Sequence, residues 1–152
     1  MKFEKIKTYM KMAEEVSQLS PDAETKVGAI MLSPDGRIIA SSFNGFLRGA
    51  DDKTIPKTRP EKYEFIQHAE RNILYNCCYE GIRTKNTTII CTLSPCLECL
   101  RAAWQAGVTK IIFKDTYHAC SSPCFYSSLE DVVVIDTKLG NYTVLDMLPV
   151  KG

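Results

Sequence analysis

Two short stretches constrain this chain more than anything else in it: His68-Ala69-Glu70 and Pro95-Cys96-Leu97-Glu98-Cys99. A catalytic Zn²⁺ takes three protein ligands and leaves its fourth position to water. His68, Cys96 and Cys99 supply that number of suitable donors, so the fold must bring both stretches to one point. Pro95 has a fixed φ and no N–H, which suits the start of a helix over residues 96–105. Cys96 and Cys99 then share one face of it. A helix N-terminus also lowers thiol pKa towards the thiolate that metals prefer. His68 and Glu70 diverge inside a helix. They converge only if His68 stands at the edge of a helix over residues 69–78, with Glu70 a carboxylate beside the metal and free to move protons. Two helix N-termini thus aim at one metal, an arrangement suited to a reaction that builds negative charge on oxygen.

Each piece alone has a plainer reading. A C-x-x-C pair also serves structural zinc or redox chemistry, a lone histidine packs or sits on the surface, and a first-turn glutamate complements the helix dipole. A structural zinc needs a fourth protein ligand. Cys77 and Cys78 lie about 12–15 Å down the helix at 1.5 Å per residue, too far to serve. Cys91 falls on a predicted strand, and its side-chain direction is not legible from sequence. With only two histidines in the chain, the joint pattern favours the catalytic reading.

The 152 residues predict a single domain over 1–152, with 45% apolar and 24% charged residues, ordinary for a globular protein. A net charge of +1 gives no broad basic field for long nucleic acids and leaves room for a mononucleotide, which needs a few local cations. No apolar run approaches the roughly 18 residues of a membrane helix. The seven cysteines follow a charged N-terminus without an apolar signal segment, so reduced thiols and a cytoplasmic location are expected.

Along the chain, apolar residues at helical spacing predict an amphipathic helix over 3–18, stopped by Ser20-Pro21-Asp22. Strands are expected at 26–32 and 37–43 around the Ser33-Pro34-Asp35-Gly36 turn. Residues 46–67 form a long polar insertion with Asp51, Asp52, Lys53, Lys57, Arg59 and Lys62, and loops of that length are usually functional. Gly81 ends the second helix. Strands at 87–92 and 109–113 flank the third helix as a βαβ unit, which implies parallel pairing. A short helix is expected at 125–130, a fifth strand at 131–135, and the tail from Thr137 has no clear period.

A zinc held by two thiolates and an imidazole lowers the pKa of a bound water towards about 7. The hydroxide so made can attack the amino-bearing carbon of a cytosine-type ring. Glu70 would take the water's proton, pass it to the ring nitrogen and help the amine leave as ammonia.

The two stretches together match H-x-E…P-C-x-x-C, the known signature of zinc deaminases. Beyond it, Val27-Gly28-Ala29-Ile30, the run from Ser42 to Gly49, Asp51-Asp52, Gln105-Ala106-Gly107-Val108 and Tyr117-His118 resemble deoxycytidylate (dCMP) deaminases over most of residues 5–120. Free cytidine deaminases usually carry Cys in place of His68. Transfer-RNA adenosine deaminases lack the insertion.

The resemblance implies an α/β fold, a three-layer α/β/α sandwich around a mixed, mostly five-stranded sheet. It implies hydrolysis of dCMP to dUMP and ammonia, supplying thymidylate synthesis, in a homo-oligomer, often a hexamer. Other readings are a zinc deaminase of dCTP or a free base, and a non-catalytic zinc-stabilised interaction module, against which the intact Glu70 argues. Asn44 would contact sugar or base, the Ala69 N–H and Ser94 carbonyl would read the pyrimidine edge, and Tyr117 would lie near base or phosphate. Lys26 and Arg48 are phosphate candidates. The segment holding Phe43, Gly45, Arg48, Gly49, Asp51 and Asp52 would bind dCTP with Mg²⁺ as activator or dTTP as inhibitor. Ser42, Phe43 and Leu47 depart there from the family's Gly, Tyr and Pro, and the tail from 137 diverges as well. His118, Cys120 and Cys124 form a second cluster of soft ligands.

Overall fold

A computed structural model describes residues 1–51, 53–115 and 132–149 of the chain. The first helix, α1 (Phe3–Ser17), buries Ile6, Met10 and Ala13 along one stripe, as the spacing predicts. It leads through a polar turn into β1 (Gly28–Leu32), which pairs with β2 (Ile38–Phe43) as a hairpin. After the insertion, α2 (Ala69–Glu80) is followed by β3 (Thr87–Leu93). The last elements are α3 (Leu97–Gln105), β4 (Val108–Asp115), β5 (Val132–Leu139) and β6 (Tyr142–Pro149).

The sheet order is β2-β1-β3-β4-β6-β5. Among the described strands only β3 and β4 pair in parallel, and α3 crosses between them as the βαβ pattern requires. Strand alternation splits the core into two. Ala29, Met31, Ile89, Cys91, Ile111 and Leu145 face one side with Ile73 of α2 and Leu100 of α3. Ile30, Leu32, Ile90 and Ile112 face the other, against Ile6 and Met10 of α1. The three layers are therefore α2 and α3, the sheet, and α1. A Cβ on Gly28 would lie 2.0 Å from the Ala13 carbonyl oxygen, so glycine is what lets α1 lie directly on β1.

The expected mostly five-stranded sheet has six strands. β5 runs on past residue 135 to Leu139, turns at Gly140-Asn141 and returns as β6, which lies between β4 and β5. An inner strand carries apolar groups on both faces, which blurs the period of two. Asp146 interrupts it further and is met across the strands by Lys110 at 3.4 Å. The third helix starts at Leu97 with Cys96 as its N-cap, one residue later than expected, so Pro95 lies outside it. Gly81 takes φ 71 and ends α2 as expected. The 125–130 helix and the His118, Cys120 and Cys124 cluster lie outside the described residues.

β2 and β3 both run antiparallel to β1, so their C-terminal ends lie at the same side of the sheet. α3 begins just beyond the end of β3, and α2 begins where the insertion returns to the end of β2. Asn72 Nδ2 donates to the Phe43 carbonyl at 2.9 Å and Ser42 Oγ to the Ala69 carbonyl at 2.5 Å, which tie the start of α2 to that end of β2. Topology thus brings two helix N-termini together.

Candidate active site

His68 is the N-cap of α2 and Cys96 the N-cap of α3, both with extended backbone, so both side chains project ahead of their helices. His68 Nδ1 lies 3.5 Å from Cys96 Sγ and 3.4 Å from Cys99 Sγ. A tetrahedral zinc with Zn–S about 2.3 Å and Zn–N about 2.0–2.1 Å holds its sulfur and nitrogen ligands about 3.5 Å apart. The donor set therefore fits zinc in identity and spacing. The Cys96 sulfur also accepts the Cys99 backbone N–H at 3.4 Å. Hydrogen bonding to the Cys99 thiol holds Cys96 down to about 4, with His68 adding to the effect. That bond and burial push Cys99 up. His68 is raised by its bond to Cys96, against burial.

Glu70 sits in the first turn of α2 and is almost wholly buried. Burial pushes its carboxyl above the ordinary value; its own backbone N–H, His68 and the Cys91 thiol act the other way. Cys91 Sγ lies 3.3 Å from Glu70 Oε1. Burial, then the Glu70 charge, pushes the Cys91 thiol well up, so it keeps its proton and donates. Among the described residues no other His, Cys, Asp or Glu joins the His68, Cys96 and Cys99 group. Three donors of this kind are the number that a catalytic zinc site takes from the protein, one fewer than a closed structural site.

Above these groups opens a cavity of about 320 Å³ floored by His68, Ala69, Glu70, Ser94 and Cys96. Asp22, Thr25, Val27 and Asn44 also line it, together with Arg59, Lys62, Tyr63 and Ile66 of the insertion. The two sets are joined by a buried ion pair, with Lys62 Nζ 3.0 and 2.8 Å from the two Asp22 oxygens. Glu24 lies 3.4 Å from the same nitrogen. Arg59 donates from Nη2 to Thr25 Oγ1 at 3.0 Å and from Nε to the Tyr63 hydroxyl at 2.7 Å, and pairs with Glu24 at 3.3 Å.

A family model for the cytidine and deoxycytidylate deaminase zinc-binding region matches residues 3–115. The chain belongs to that family. As in that zinc-binding region, His68, Cys96 and Cys99 hold the zinc. Human deoxycytidylate deaminase is 31% identical over 117 residues, 72% of this chain and 65% of the human protein. The chain thus spans just under two thirds of that relative's length. Deoxycytidylate deaminase of phage T4 is 26% identical over 153 residues, covering 74% of this chain and 79% of the phage protein. The crystal structure of dCMP deaminase from cyanophage S-TIM5 in complex with dCMP and dUMP matches with TM-score 0.65 and 34% identity. That match covers 77% of this chain and 85% of the phage chain.

The structure gathers some of the residues that the deaminase resemblance singles out and disperses others. Asn44, Ala69 and Ser94 line the cavity. Asn44 is nonetheless bonded to the scaffold: its Oδ1 accepts the Val27 N–H at 2.8 Å and its Nδ2 donates to the Thr25 carbonyl at 2.8 Å. Ala69 is the first residue of α2, so its N–H has no partner within the helix. Lys26 does not line the cavity and donates to the Ser20 carbonyl at 3.1 Å. Arg48 stacks 4.0 Å over the ring of Tyr79, an exposed residue of α2. Phe43 is half-buried, Gly45 bridges to Gln67 and closes the insertion into a loop, and Gly49 has φ 82. Asp51 Oδ1 accepts the Lys53 N–H at 2.9 Å. Asp52 and Tyr117 lie outside the described residues.

Sequence reasoning missed Arg59, Lys62 and Tyr63 as cavity residues. The signal was present, since they stand five to nine residues before His68, but only folding shows which cations of the insertion turn inward. No described helix is long and apolar enough to cross a membrane.

Proposed function

We propose that the chain hydrolyses dCMP to dUMP and ammonia. The observation that carries this reading is the His68, Cys96 and Cys99 group with the buried Glu70 carboxylate beside it, lining a cavity of about 320 Å³. The kinship with the S-TIM5 enzyme crystallised with dCMP and dUMP supports the choice of substrate.

Zinc, when bound, makes water a nucleophile near neutral pH. Glu70 accepts a proton as that water adds to the amino-bearing carbon, and delivers it to the adjacent ring nitrogen. The second proton of the water leaves through Glu70 with the amine, so water and dCMP become dUMP and ammonia. The Ala69 N–H and the Ser94 carbonyl at the floor orient the pyrimidine edge, and Asn44 shapes the wall beside the sugar. Arg59, on the cavity wall, is better placed for a single phosphate than Lys26 or Arg48.

Ammonia release from dCMP, dCTP, CMP, deoxycytidine and guanine tests the assignment. dCMP is expected to give the highest kcat/KM, and Arg59→Ala to raise KM for dCMP far more than for deoxycytidine. Equal kcat/KM for dCMP and deoxycytidine would refute a phosphate site.

We further propose that activation by dCTP with Mg²⁺ is weak, with near-hyperbolic kinetics on dCMP alone. Leu47 is 68% exposed and lacks the φ restraint of proline, which leaves the loop around Gly45, Arg48 and Gly49 less preorganised. A sigmoidal curve made hyperbolic by dCTP would overturn this. A homo-oligomer is supported by the exposed Tyr75 and Tyr79 on α2, and sedimentation tests it. A reducing, cytoplasmic setting agrees with Cys77, Cys78 and Cys91, which form no disulfide.

A further inference from the structure

The chemistry above leaves one buried thiol beside Glu70 without a part. Cys91 lies on β3, between Ala29 of β1 and Phe113 of β4, in the middle of the sheet. It is fully buried, and alternation along β3 turns it to the face covered by α2, beneath the first helical turn. Its neighbours on that face, Ile89 and Phe113, are apolar. There its sulfur meets Glu70 Oε1 at 3.3 Å.

A glutamate ends in an sp³–sp² torsion that is broad and roughly two-fold, so packing alone does not decide which oxygen faces the reacting groups. A donor fixed in the central sheet does decide it. We propose that Cys91 is a positioning residue for Glu70: its S–H donates to Oε1, locks the carboxylate plane, and leaves Oε2 to carry the protons of the reaction. This rests on Glu70 being the proton shuttle. A thiol suits the task among apolar neighbours, because it is a small, nearly apolar group with one weak donor. It can hold one oxygen without the tight grip of a charged donor.

Valine is larger than cysteine by only about one methyl group and has no donor, and the surroundings are apolar. A packing role for Cys91 therefore predicts that Cys91→Val is harmless. The positioning role predicts a kcat about three- to tenfold lower, on the scale of an ordinary hydrogen bond, with KM and zinc content unchanged. Cys91→Ser, which restores a donor, should recover most of the loss. Cys91→Ala serves as the donor-free variant if valine disturbs the sheet. In the Glu70→Ala background, Cys91→Val should have no further effect.

A readout independent of turnover is the infrared S–H stretch of Cys91, isolated as wild type minus Cys91→Ser. It should lie at lower frequency than the same band in Glu70→Ala. Wild-type kcat in Cys91→Val, equal losses in the serine and valine variants, or an S–H band unmoved by Glu70→Ala would each overturn the positioning role. Near wild-type turnover in Glu70→Ala would instead refute the shuttle reading itself.

Discussion

Replacing Lys62 by methionine isolates what holds the insertion onto the body of the protein. Both side chains of the Lys62–Asp22 pair are only 3% exposed, with the ammonium bonded to both carboxylate oxygens. Methionine preserves most of the volume and removes the charge, leaving a buried carboxylate without its cation. Breaking a buried pair this way costs about 3–5 kcal/mol. Asp22 Oδ1 would still accept the N–H groups of Glu24 at 2.8 Å and Thr25 at 3.1 Å, which places the cost near the lower end. For a chain of 152 residues each kcal/mol moves Tm by about 2–4 °C, so a loss near 3 kcal/mol lowers it by about 6–12 °C.

The effect should also depend on pH. Burial raises the Asp22 carboxyl, but hydrogen bonds from Lys62, Glu24 and Thr25 outweigh it and hold the group below its ordinary 3.8. A depressed pKa contributes stability that is present above the unfolded value, about 3.9, and is lost as pH falls through the folded value. The gap between wild type and Lys62→Met should therefore be full at neutral pH and close as the pH drops below about 4. Asp22→Asn combined with Lys62→Met, which leaves no unpaired charge, should recover part of the loss. Thermal and urea unfolding across pH measure all of this. A Tm change under about 2 °C at neutral pH, or a gap that stays constant into acid, would refute the reasoning.

Glu70→Ala should keep zinc and fold while kcat falls by about 10²–10⁴-fold, as read by ammonia release beside metal analysis. Cys99→Ser should bind zinc far more weakly, because the serine hydroxyl does not replace a thiolate, and the purified variant should contain well under one zinc per chain. Gly28→Ala should unseat α1, since the added carbon would meet the Ala13 carbonyl oxygen at 2.0 Å and the Ser17 nitrogen at 2.7 Å. Circular dichroism melts should show a large loss of stability, and a neutral result would mean that α1 shifts freely on the sheet.

Much of the molecule was legible in one dimension. Apolar spacing marks α1, and the β3-α3-β4 pattern implies the parallel pair that the sheet contains. The split motif announces a zinc site because His, Cys and Cys are rare donors whose spacing places them on two helix starts, a matter of local geometry. What needed the tertiary structure is of another kind. β6 escaped notice because an inner strand has no polar face to mark its period, and because the charge of Asp146 makes sense only beside Lys110 of β4. Cys91 stands out in the sequence as a thiol near the second half of the motif, but its direction is not legible until the register of β3 sets it against Glu70. Lys62 reads as a solvated charge among the other cations of the insertion, and only folding buries it against Asp22, 40 positions earlier in the chain. Spacing along the chain determines which residues share an element. Which buried groups meet across elements depends on strand register and loop closure, and those exist only once the whole sheet has formed.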